Sequence, residues 1–248
     1  MREITDVSYG KKARQKLDWY LPDADAFDVI VWFHGGGMES GSYKTHHGLA
    51  QSAVQHGYAF VSAEYSMYPE ARFPDFIMDA AQAVAYVQKH MAEYGGRRII
   101  ITGRSAGAYL TMMLLLNPAY LRNAGATRDN ILAFVSDSSQ QTVHFNVLRE
   151  RGQDTRLERI DEAAPLYFSG VNPVDKPLLL ISYTHDMECR LEQTYLAARS
   201  LKRFNPDAII ETVVLEGKHV AGSRYPDADG EFPYLKVLFD FVQRIDQK

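Results

Sequence analysis

The pentapeptide Gly103-Arg104-Ser105-Ala106-Gly107 constrains this chain more than any other stretch, because of what stands on either side of it. Ahead of it runs the apolar, β-branched Ile99-Ile100-Ile101-Thr102, and behind it the helix-like residues 108–116. A serine between two glycines, at the joint of a strand and a helix, is the sequence form of a turn that lifts the serine hydroxyl above a sheet edge. Glycine suits both flanking positions, because in so sharp a turn a Cβ would collide with the neighbouring elements.

Other segments repeat the alternation of strand and helix. Residues 4–21 read as two strands separated by a turn at Tyr9-Gly10-Lys11-Lys12, and Val29-Ile30-Val31-Trp32-Phe33 is a continuous apolar run of the kind buried on both faces. Further strands are predicted over residues 58–63, 131–135, 178–183 and 209–215. Helices are predicted over residues 45–56, 75–94, 190–204 and 234–245. This order argues for one α/β domain over residues 1–248, a mostly parallel central sheet with helices on both faces. Residues 138–175 are polar and irregular, and are expected to form a short lid or cap insertion.

Composition narrows the function classes. With 46% hydrophobic and 23% charged residues over 248 positions, the chain reads as a soluble globular protein with a substantial core. A formal charge of −4 gives no reason to expect nucleic acid or an anionic membrane as partner. A single cysteine, Cys189, excludes an internal disulfide and fits a reducing compartment. The first residues carry no apolar run of signal-peptide length, so the expected location is cytoplasmic.

Serine is a weak nucleophile until a base takes its proton, so Ser105 calls for a histidine and the histidine for an orienting carboxylate. In a sheet of this kind active groups sit on loops leaving the carboxyl ends of strands. Two such loops carry the required residue types. Thr184-His185-Asp186-Met187-Glu188 offers Asp186, with Glu188 as the alternative acid, and Glu216-Gly217-Lys218-His219 offers His219. The chain order is Ser105, Asp186, His219. A tetrahedral intermediate also needs donors for its oxyanion. The loop His34-Gly35-Gly36-Gly37 leaves backbone N–H groups unobstructed, and the Ala106 N–H stands at a helix start.

The chain resembles the α/β-hydrolase superfamily, and within it the small carboxylesterases of the hormone-sensitive-lipase, feruloyl-esterase and kynurenine-formamidase-like groups. The resemblance rests on Tyr9-Gly10 with Leu17-Asp18-Trp19-Tyr20-Leu21-Pro22, on His34-Gly35-Gly36-Gly37, Glu64-Tyr65-Ser66, Pro69-Glu70-Ala71-Arg72-Phe73-Pro74, the serine pentapeptide, Asp186 and Gly217-Lys218-His219. It implies an α/β-hydrolase fold and a cofactor-independent serine hydrolase acting on small-molecule carboxylic esters, and the shortness of the insertion over residues 138–175 predicts a shallow pocket favouring short acyl groups. It also implies that the N–H groups of Gly36, Gly37 and Ala106 form the oxyanion hole. Amide hydrolysis, carbohydrate deacetylation and a non-catalytic ligand-binding module are the alternatives. Arg104 departs from the Asp or His of many relatives, and the acid loop lacks their Gly and Pro neighbours.

The remaining candidates have plainer readings. Tyr65, Tyr68 and Phe73 are placed either along an acyl or alcohol pocket or in loop packing. His34 is expected to brace the glycine loop. His46 and His47 are expected at the surface, since adjacent helical histidines point apart, and no metal is predicted. Cys189 has no elbow of its own, and the residues 112–116 read as buried helix. Nothing in the sequence separates a monomer from a homodimer.

Overall fold

A computed structural model describes residues 1–247. Eight strands form one sheet in the order β1-β2-β4-β3-β5-β6-β7-β8, where β1 is Arg2–Ser8, β2 Lys16–Leu21, β3 Phe27–Phe33, β4 Ala59–Ala63, β5 Gly96–Arg104, β6 Ile131–Asp137, β7 Leu178–His185 and β8 Ile210–Lys218. The β1–β2 and β2–β4 pairings are antiparallel and all the others parallel. The expected α/β-hydrolase architecture is therefore present.

Alternation along the central strands divides the core in two. Val29, Val31, Phe33, Ile99 and Ile101 face a cluster completed by helices α2 (Asp75–His90), α3 (Ala106–Leu116) and α6 (Arg190–Phe204). Ile30, Trp32, Ile100, Val135 and Leu179 face the opposite way, onto α1 (His47–Gln55) and α8 (Pro233–Asp246). Period-two side-chain alternation in strands with two apolar faces requires cover on both sides. In α8 the buried Leu235, Leu238, Phe241 and Val242 recur at helical spacing, so one stripe meets the sheet and the rest meets water. In α3 every residue is buried, which explains its lack of polar face.

Short segments refine the sequence reading. The strands at the active edge run further than their apolar cores, because β5 continues to Arg104, β6 to Asp137, β7 to His185 and β8 to Lys218. Residues 138–175 hold the short helix α5 (Phe145–Glu150) and the 3₁₀ turn Pro165–Phe168. Val143, Val147, Leu148, Ala163 and Phe168 from this stretch are buried in the larger core cluster, so much of the segment is built into the body of the domain. Among the described residues no helix is long and apolar enough to cross a membrane.

Candidate active site

Parallel strands deliver their carboxyl ends to one edge, and the loops leaving β3, β5, β6, β7 and β8 meet there. Ser105 follows β5 directly and precedes the first residue of α3, with φ 52° and ψ −114°. Its backbone N–H donates to the Asp137 carbonyl at 2.8 Å, which ties the elbow to the end of β6. The glycine requirement is steric: a Cβ at Gly107 would stand 2.0 Å from the Phe33 carbonyl oxygen. Arg104, the last residue of β5, turns its guanidinium toward the Ser223 carbonyl, 3.4 Å away.

His219 Nε2 lies 2.9 Å from Ser105 Oγ, and His219 Nδ1 lies 2.5 Å from Asp186 Oδ1. With Nδ1–H donating to the carboxylate, Nε2 is left as the acceptor for the serine hydroxyl. The histidine contacts Asp186 and not Glu188, whose side chain is exposed on the same loop. Asp186 is surrounded by donors. Oδ1 also accepts the Met187 N–H at 2.8 Å, and Oδ2 accepts the hydroxyls of Ser138 at 2.5 Å and Ser182 at 3.1 Å. Burial alone would raise this carboxyl, but the bonds from His219 and Ser138, and the adjacent imidazole charge, outweigh it and hold Asp186 below the usual carboxylate range.

Ser138 is a site residue that the sequence reading passed over. Its Oγ donates to Asp186 and stands 2.8 Å from His219 Nδ1, so one hydroxyl touches both partners of the imidazole–carboxylate pair. The residue is wholly buried with φ 61°, and its N–H donates to the Ile181 carbonyl at 2.8 Å. The available signal was positional, since Ser138 is the first residue after β6 and the parallel sheet sends it to the same edge as Ser105.

One layer beneath lies Asp137, fully buried. Its Oδ1 accepts the Tyr183 hydroxyl at 2.8 Å, and its Oδ2 accepts the Ser223 hydroxyl. Burial pushes this carboxyl up to about 6 against the lowering effect of those two bonds and of the His219 and Arg104 charges. Ser223 belongs to the short helix Ala221–Arg224 that follows the histidine loop, so the bond ties that loop to β6.

Opposite the serine, Gly36 and Gly37 have φ 120° and 66°, which side-chain-bearing residues rarely adopt. The loop folds on itself through the Gly36 carbonyl, which accepts N–H bonds from Glu39 and Ser40, while the Gly37 carbonyl accepts the Asn146 side-chain amide at 2.7 Å. Among the described residues no protein acceptor takes the N–H of Gly36, Gly37 or Ala106. His34 braces the loop from below. Its Nδ1 is 2.7 Å from the Gly35 carbonyl, its Nε2 is 2.8 Å from Glu64 Oε1, and its ring stacks on Tyr65 at 4.5 Å.

Two sequence expectations need correction. Tyr65 lines no pocket; it is completely buried, and its hydroxyl donates to the His34 carbonyl at 2.9 Å, which gives the phenol its partner inside the core. His46 is not a surface residue, since it is 4% exposed and packs edge-on against Trp32 at 5.5 Å. It lies in a 3₁₀ turn, Tyr43–His46, rather than in the following α-helix, and the tighter winding points its ring inward. Burial drives its imidazole down to about 2, so it is neutral. His47 is exposed, 3.1 Å from Glu3. Tyr68 donates its N–H to the Met38 carbonyl at 2.7 Å, and Phe73 packs near Phe76 and under the Arg151 guanidinium. Among the described residues, no group of three or more His, Cys, Asp and Glu side chains gathers as a metal ion would require.

The family profile of BD-FAE matches residues 17–164, and the chain belongs to that family. Over 121 residues it is 36% identical to the probable carboxylic ester hydrolase LipM of Mycobacterium tuberculosis, covering 46% of this chain and 28% of that protein. Over 114 residues it is 32% identical to the kynurenine formamidase of Danio rerio, covering 45% and 38% respectively. The chain thus spans well under half the length of these curated relatives. Its fold superposes on esterase B from Lactobacillus rhamnosis with a TM-score of 0.80 and 17% identity, over 99% of this chain and 87% of that one.

Proposed function

We propose that this protein is a serine hydrolase of carboxylic esters in which Ser105, His219 and Asp186 act as nucleophile, general base and orienting acid. The observation that carries the reading is the continuous hydrogen-bonded line from Ser105 Oγ through both imidazole nitrogens to Asp186 Oδ1. His219 Nε2 takes the hydroxyl proton as Ser105 Oγ attacks the ester carbonyl, and the ionised Asp186 stabilises the imidazolium that forms. The N–H groups of Gly36, Gly37 and Ala106 face the developing oxyanion, with the macrodipole of α3 behind Ala106. Collapse of the intermediate expels the alcohol, which carries the proton from His219, and leaves an acyl group on Ser105. Water deprotonated by His219 then attacks that acyl-enzyme, and the acid departs.

Phe145 supports a preference for short acyl chains, because its ring packs so close to Gly37 that a Cβ there would stand 2.8 Å from Cζ. A formamide substrate is the second reading, favoured by the formamidase relative, since the same triad serves either leaving group. A fluorophosphonate probe is expected to label Ser105 in the folded protein. Purified protein is then assayed on p-nitrophenyl butyrate, p-nitrophenyl palmitate and N-formylkynurenine. Turnover of butyrate above palmitate and formamide supports the ester reading, and absence of labelling overturns it.

A further inference from the structure

Beside the triad a cleft of about 430 Å³ opens between the acid loop and α5, bordered by Gln140, Phe145, Met187, Glu188, Arg190 and Gln193 among others. Met187 and Glu188 place the acid loop in the wall of the cleft, and Phe145, whose ring packs over Gly37, separates it from the glycine loop. Most of its polar wall is committed elsewhere. The Gln140 amide is held by Thr142, the Val143 carbonyl and the Phe145 N–H. Gln193 accepts the Gln141 N–H and donates to Glu158. At the rim, Arg156 is paired with Asp154.

Arg190 is different. It is 4% exposed, yet Nε and Nη1 have no hydrogen-bond partner, and Nη2 touches only the Met187 sulfur at 3.9 Å. A buried guanidinium is normally paired, because an uncompensated buried charge is costly. Among the described residues no carboxylate comes within ion-pair distance of it; Asp186 and Glu158 act on it only through space. It is also the first residue of a fifteen-residue helix, whose amino end favours anions. Its cover toward the cleft is Met187, a half-exposed, flexible thioether and a weak acceptor that a better one displaces.

We infer that Arg190 is a substrate-recognition residue for a carboxylate, so that the preferred ester carries a free acid group on the portion lying in this cleft. The inference rests on the ester-hydrolysis reading above. A planar carboxylate matches the guanidinium fork, supplying two acceptors to a group that lacks them.

The test compares kcat/KM for monoethyl glutarate and ethyl valerate, followed by acid release. The wild-type ratio is expected to favour the anionic ester by at least about tenfold, the worth of a hydrogen bond to a charged group. Arg190→Gln is expected to collapse that ratio and Arg190→Lys to restore part of it, whereas a merely structural role lowers both substrates together. A wild-type ratio near one, or a ratio unmoved by Arg190→Gln, overturns the assignment; so does a collapse produced by Arg156→Gln instead. If Arg190→Gln does not fold, the wild-type ratio and Arg190→Lys decide. Should neither ethyl ester turn over, p-nitrophenyl butyrate separates the two readings, since its failure as well overturns the hydrolase reading on its own. Calorimetric titration of monoethyl glutarate into wild-type and Arg190→Lys protein then judges the cleft: binding weakened by the substitution supports it, and no binding sinks it.

Discussion

Removing the Ser138 hydroxyl tests how much of the triad's geometry is held by residues other than its three members. In Ser138→Ala, Asp186 Oδ2 loses a donor at 2.5 Å and His219 Nδ1 loses a neighbour at 2.8 Å. A hydrogen bond to a charged group contributes about 1.5–3 kcal/mol. Ser182 still reaches Oδ2 at 3.1 Å and the Met187 N–H still reaches Oδ1 at 2.8 Å, so the carboxylate keeps donors on both oxygens. The loss therefore falls at the low end, about 1.5 kcal/mol, or roughly tenfold in kcat. The backbone does not offset this, because alanine is as disfavoured as serine at φ 61°.

The variant also carries a pH signature. Asp186 is held below its ordinary range in the folded protein, so its contribution to stability is present above the unfolded value and lost as pH falls through the folded one. Without the Ser138 donor the folded carboxyl rises, and acid unfolding of Ser138→Ala begins at higher pH than in the wild type. The assay is kcat/KM on p-nitrophenyl butyrate, beside thermal melts at neutral and acid pH. Activity within about twofold of wild type, or a loss as deep as that of Asp186→Asn, refutes the reasoning.

Three further outcomes are expected. Asp186→Asn lowers kcat by roughly 10⁴ while Glu188→Gln stays within about twofold, and steady-state kinetics on the two variants exposes a reversed order. Gly36→Ala lowers kcat by roughly 10²–10³ in the same assay, because φ is 120° and the new Cβ would stand 2.0 Å from the Ser40 carbonyl oxygen, so the loop must move. Asp137 binds its proton more tightly when folded, so its contribution is full below the ordinary 3.8 and lost as pH rises through about 6, a cost of about 3 kcal/mol at neutral pH. Denaturant midpoints of wild type and Asp137→Asn should therefore converge or cross between those pH values, and a constant difference contradicts the shift.

The parts legible in sequence were those where one local pattern fixes both structure and position. The apolar run before each of Ser105, Asp186 and His219 names a strand, and a parallel sheet sends every strand end to one edge, so three residues far apart in the chain meet. Ser138 escaped because its strand was read as ending at residue 135, two residues short of Asp137, which left the serine inside an apparently loose polar stretch. His46 was misplaced by the winding of a single turn, and Tyr65 stood open between pocket and packing because its bond to the His34 carbonyl joins residues thirty-one apart in the chain. The uncommitted Arg190 guanidinium was beyond reach, because what marks it is the absence of a partner in three dimensions.

Backbone conformation shows where this fold concentrates strain. Among the described residues, six other than glycine have φ near 60°: Asp6, Met38, Ser105, Ser138, Cys189 and Val220. All except Asp6 lie on the five loops that leave β3, β5, β6, β7 and β8, at the edge where the candidate site stands. Each such residue costs on the order of 1–3 kcal/mol and persists only where its surroundings over-determine it. Here they do: the Ser105 and Ser138 N–H groups are fixed by the carbonyls of Asp137 and Ile181, each on the neighbouring strand, and Val220 is 1% exposed beside the Ser223 tether to Asp137. The parallel sheet and its two apolar faces supply the rigidity that holds these turns. Site precision in this protein is thus a property of strand ends locked to their neighbours, which hold the hydroxyl, imidazole and carboxylate in one line.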